Sequence, residues 1–137
     1  MNEREVSAYH EAGHCIASHR LGCKPVLITI DAAPRVLHTD DSDATAVAIM
    51  VYAASAAATR VGGPSALAGS PDLAMLMKFV SKLSIKVAEA IPSKSRQFVD
   101  EHWAEIEELA RVVLQRGTLQ GDDLAQELAR ICKICGS

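Results

Sequence analysis

The sequence predicts a mainly α fold: a single-domain helical bundle with a small β-sheet. Three observations lead there. Apolar residues recur at three-to-four spacing through most of the chain, and Gly and Pro divide it into segments of helical length. One short β-branched run, Val26 to Ile30, interrupts that pattern. A length of 137 residues suits one domain, and 49% hydrophobic with 23% charged residues suffices to close one core.

Residues 3–21 read as the first helix, with Val6, Tyr9, Gly13 and Ile16 along one face and Gly22 as the stop. Gly13 inside it costs about 1 kcal/mol against Ala, so something packs close to the backbone beside His14. That neighbour is either part of a site or plain helix crowding. Residues 26–30 form a strand, with 36–38 as a second one across the turn at 31–34. A solitary strand leaves backbone groups unsatisfied. It either finds a partner strand or offers its edge to an extended peptide, which makes Ile28, Thr29 and Ile30 the expected substrate platform.

Residues 44–59 carry no charge and form a helix that is apolar nearly all round, capped by Ser42 or Asp43. Such a helix belongs at the centre of a bundle or at a subunit interface, and the second placement would make the chain a homo-oligomer. Residues 61–70 are loop. Ser70-Pro71-Asp72 opens a third helix to about Ile91 before Pro92. A fourth covers 93–116, with Val99, Trp103, Ile106, Ala110 and Val113 inward and Glu105, Glu107, Glu108 and Arg111 on a solvated face. A fifth covers 121–133, burying Leu124, Leu128 and Ile131.

The first helix holds the chemistry. His10, Glu11 and His14 form an HExxH pattern. One helical turn apart, the two imidazoles share a face and can reach one metal ion. Glu11, about 100° away, faces the open coordination position, where it can take a proton from a water whose pKa zinc lowers to about 7. It is therefore the expected base and not a ligand. A catalytic zinc also needs a third protein ligand. The spacing HExxHxxGxxH would put a His at position 20, which is Arg20, and after Glu11 there is no Glu until Glu89. Asp31, Asp40, Asp41, Asp43, Asp72, His19 and His38 remain. His19 lies far round the helix and reads as a surface residue. Asp72 stands out because it opens a helix after a loop, although complementing the helix dipole explains that position as well.

Charge and cysteine usage narrow the functional classes. A net charge of -3 gives no basic patch for nucleic acid. The N-terminus has no apolar leader and no stretch is long enough to span a membrane, which predicts a cytoplasmic protein with Cys15, Cys23, Cys132 and Cys135 as reduced thiols. Asp40, Asp41 and Asp43 lack the Gly and terminal Glu of a calcium loop and read as a solvated helix start. Cys132 and Cys135 form a CxxC with no second pair at matching spacing, and read as chance thiols.

His10-Glu11-Ala12-Gly13-His14 resembles the HEAGH signature of the FtsH family of zinc metallopeptidases. The likeness continues in Val26-Leu27-Ile28-Thr29-Ile30 with Pro34-Arg35, in Ser70-Pro71-Asp72-Leu73, and in the closing run through Trp103-Ala104-Glu105-Ile106 and Leu119-Gln120-Gly121-Asp122. The resemblance implies a sheet beside the HExxH helix, zinc held by His10, His14 and Asp72, Glu11 as base, and a peptide or protein substrate. It covers the family's peptidase domain alone, without its ATPase module or membrane anchor, and so implies cleavage of peptides or flexible segments. The stretch from Pro34-Arg35 to Asp72 is shorter than in the family, and Ala56-Ala57-Ala58-Thr59-Arg60 replaces a Gly-Arg-Ala-Ala-Glu-like segment. A zinc-binding module with the peptidase fold but no turnover is the alternative.

Overall fold

The computed structural model describes residues 1–63 and 71–134, except the side chains at 71–73 and 75. Helix α1 (Glu3–Arg20) starts at a capping box: Asn2 Oδ1 accepts from the Glu5 amide at 2.8 Å, and Glu5 Oε1 accepts from the Asn2 amide at 3.4 Å. Gly22, at φ +82°, follows its end as the sequence predicts. From Glu11 to Ser18 every residue is buried. Helices α2 (Ala44–Arg60) and α5 (Trp103–Arg116) pack along α1, and the sheet covers a further side. The small residues Ala8, Ala12, Gly13 and Ala17 allow that close approach.

The sheet lies directly beside the HExxH helix. Strand β1 (Pro25–Thr29) is central, with β2 (Arg35–His38) and β3 (Thr118–Gln120) antiparallel on either side. Ile28, Val36 and Leu119 stand in register across the three strands, and all are buried against the helices. The hydroxyls of Thr29 and Thr118 meet at 2.7 Å and fix the same register on the neighbouring row. β3 is too short to show in an apolar pattern, so the sequence gives no sign of it beyond Thr118 after Gly117.

Helix α2 is the centre of the bundle. Asp43 caps it, Oδ1 accepting from the Ala46 amide at 3.1 Å. Nine of its residues from Ala46 to Ala58 are buried against α1, α3 (Pro71–Val80) and α4 (Ile85–Glu101), which accounts for its apolar character within one chain. The loop expected at 61–70 lies outside the described residues from position 64 onward.

The third and fourth expected helices divide differently. α3 ends at Val80, a turn occupies 81–84, and Ser84 Oγ caps α4 by accepting from the Val87 amide at 3.2 Å. Pro92 lies inside α4 instead of ending a helix. An interior proline costs about 3 kcal/mol through the lost amide and the ring's clash. Burial of Ile91 and Val99 offsets that cost, with Ser95 Oγ donating to the Ile91 carbonyl at 2.8 Å. The break falls at His102, before α5. α5 then ends at Gly117, φ +77°, and α6 (Gly121–Ile134) buries Leu124, Leu128 and Ile131 as expected.

Glu105 is corrected from the solvated face to the interior. It is 1% exposed, held at Oε1 by Arg20 Nε at 3.1 Å and by His102 Nδ1 at 3.2 Å, with Arg20 Nη2 on Oε2. This cluster ties the end of α1 to the start of α5. Among the described residues, no helix is long and apolar enough to cross a membrane.

Candidate metal centre

The burial gradient along α1 gives the site its shape. His10 keeps 23% of its side chain exposed, whereas Glu11 is 6% and His14 2% exposed. The pair of imidazoles therefore runs from the protein surface inward over one helical turn. Glu11 Oε2 lies 3.8 Å from His10 Nε2, so the buried carboxylate stands beside the outer imidazole of the pair. Next in sequence, burial pushes the Cys15 thiol up, and the charge of Glu11 pushes the same way. Cys15 is thus a neutral packing residue.

The hairpin brings a third imidazole to this face of α1. His38 closes β2, and its ring centre lies 6.1 Å from that of His14, tilted by 43°. Its Nδ1 is buried and has no hydrogen-bond partner among the described residues. Sequence reasoning kept His38 as one of seven leftover donors. The signal that could have raised it was the hairpin itself, since a two-stranded turn directly after the helix returns its last residue toward His14.

Of the other donors, three have local partners. Asp43 caps α2; Asp40 Oδ1 accepts from the Ser42 amide and hydroxyl at 3.1 and 2.8 Å, bonds that hold its carboxyl below the usual range. Asp31 meets Arg4 at 3.5 Å and accepts from Thr118 Oγ1 at 3.0 Å. Asp41 and His19 are exposed, His19 as expected. Asp72 falls in the first turn of α3, and its side chain lies outside the described residues, as do Ser70 and Cys135. Among the described residues no three His, Cys, Asp or Glu side chains are already gathered around one point.

The expected platform at Ile28, Thr29 and Ile30 has no free strand edge. Ile28, Thr29 and Ile30 are 0%, 4% and 5% exposed, β1 is paired on both edges, and the Ile30 amide donates to the Gly117 carbonyl at 2.9 Å. No edge of β1 remains for a peptide. Among the described residues the outer edge of β2 carries no further strand, and its last residue is His38. Two cavities, of about 440 and 430 Å³, lie elsewhere: one between α2 and α4 at Tyr52, Arg60 and Arg96, the other at Tyr9, Glu107 and Arg111. Neither is lined by His10, Glu11 or His14.

The donor types are those zinc takes: two imidazoles one turn apart, a third imidazole with a buried nitrogen lacking a partner among the described residues, and a buried carboxylate beside His10. No protein-family model matches the chain, and no curated protein matches its sequence.

Proposed function

We propose that the chain is a zinc-dependent metallopeptidase domain resembling the FtsH type, acting on peptides or flexible segments. The observation that carries this reading is the placement of Glu11, buried and with its carboxylate 3.8 Å from an imidazole nitrogen of the HExxH pair. His10 and His14 would hold the ion, with Asp72 as the further ligand by resemblance. A bound zinc ion supplies Lewis acidity, polarising a scissile carbonyl and bringing water within reach of ionisation near neutral pH. Glu11 accepts the proton of the attacking water and returns it to the leaving amine. Its burial removes competing solvent from that exchange. Among the described residues the outer edge of β2 carries no further strand, which supports the choice of substrate, since β2 packs on α1 and an extended segment pairing there would lie near the motif helix.

The test is Glu11→Gln, which keeps the side chain's shape and removes the base. The variant should retain stoichiometric zinc and lose cleavage of an unstructured peptide library. Equal inertness of both proteins, each with zinc confirmed, would replace the peptidase by a second reading, a zinc-binding module without turnover. One observation favours that alternative: residues 11–18 of α1 are all buried, and within the HExxH pattern His10 is the more open imidazole.

A further inference from the structure

We propose that His38 is a zinc ligand of the HExxH centre, a role that the motif does not assign. The inference rests on the metallopeptidase reading only in requiring that zinc binds at His10 and His14; His38 takes the third protein position there in place of Asp72, and the fourth stays open for water.

Three observations converge on it. The first is topological: β1 follows α1 after a short turn and pairs with β2 in register, so the end of β2 returns to the helix that carries the motif. The second is the buried Nδ1 of His38, which has no hydrogen-bond partner among the described residues. A buried imidazole nitrogen loses its water on folding, and leaving it without a partner is unfavourable. A metal ion bound there would use that lone pair. The third is separation. Two imidazoles on one tetrahedral zinc, each bound at about 2 Å, stand with ring centres about 5 Å apart. The His14 and His38 rings are at 6.1 Å, so an approach of about 1 Å completes the pair. His38 closes an edge strand, and a side-chain rotation there supplies such a shift without moving α1.

The experiment compares wild type, His10→Ala, His38→Ala and His38→Cys, each checked for helical content and cooperative unfolding. Zinc affinity is read by competition with a chromophoric chelator, and coordination by the visible spectrum of the cobalt(II)-loaded protein. His38→Ala should lose more than about 100-fold in affinity, beyond what removal of a residue that merely orients a ligand costs, and should alter the cobalt bands. His38→Cys should show a new thiolate-to-cobalt charge-transfer band, which arises only if position 38 is inside the coordination sphere. Unchanged bands in His38→Ala, with no thiolate band in His38→Cys, overturn the proposal even if affinity falls, because His38 then acts at a distance. If wild type holds no zinc, or His10→Ala holds it as tightly, the metal reading itself fails and this inference falls with it.

Discussion

Gly13 lies so close to α2 that a Cβ built on it would stand 2.8 Å from the Cβ of Ala57 and 2.9 Å from the carbonyl oxygen of Ala53. The crowding foreseen beside His14 is thus a helix crossing. It fixes the backbone next to the inner imidazole of the motif against the central helix of the bundle.

Gly13→Ala should therefore destabilise the protein. Ala gains about 1 kcal/mol of helix propensity over Gly, but here its methyl meets backbone, and overpacking of this kind costs about 1–3 kcal/mol. A lower melting temperature, with weakened zinc binding as His14 shifts, is the expected result. A variant as stable as wild type would show that α1 and α2 can separate without cost.

Glu105→Ala should cost about 3 kcal/mol, since it leaves the Arg20 guanidinium without its carboxylate. Arg20→Ala should cost a comparable amount, and the double variant less than the sum of the two, because both remove the same ion pair. Denaturant unfolding of the three variants measures the coupling. Strict additivity would show that the pair contributes nothing beyond its separate packing.

Legibility of the fold followed the strength of local signals. α1, α2 and α6 begin and end within about two residues of their predicted limits because caps, glycines and apolar spacing agree there. Pro92 misled because a local rule met a tertiary override: packing of α4 on α2 holds the helix through it. Ser84, the true cap, sits in a stretch already read as helix. Glu105 misled because its partner, Arg20, is 85 residues away and no periodicity reports it. The same reason hid the role of β3 and the meeting of His38 with His14, both long-range consequences of topology. His10, Glu11 and His14 were legible because their spacing is itself the geometry.

Acid should weaken a second ion cluster. Glu108 is hydrogen-bonded by Arg111, Nε at 3.0 Å, and by Arg130 at 3.3 Å, and these cations hold its carboxyl below the usual range. A carboxyl depressed in the folded state stabilises it above the unfolded pKa, about 4.3, and that contribution disappears as pH falls through the folded value. Glu108→Gln should be less stable than wild type at pH 7, and the gap should narrow as pH falls through the lowered folded value of Glu108. Urea midpoints followed from pH 7 into acid decide it. A gap that persists in acid would assign the effect to packing instead of charge.

Asp72 is the ligand assignment that depends most on resemblance, and the acidic cluster is its natural control. Asp43 caps α2 and Asp40 closes its own turn with Ser42, so neither carboxylate is spare. If Asp72 and not His38 fills the third protein position, Asp72→Ala should sharply weaken zinc binding with the bundle still folded, since a metal site loses most of its affinity with any one ligand. Asp40→Ala and Asp41→Ala should leave affinity unchanged. Asp43→Ala should cost about 1 kcal/mol of stability through the lost cap while zinc stays bound. If Asp72→Ala keeps wild-type affinity and one of the cluster variants loses it, the ligand moves to the start of α2. The likeness of residues 70–73 to the metallopeptidase family would then carry no metal chemistry.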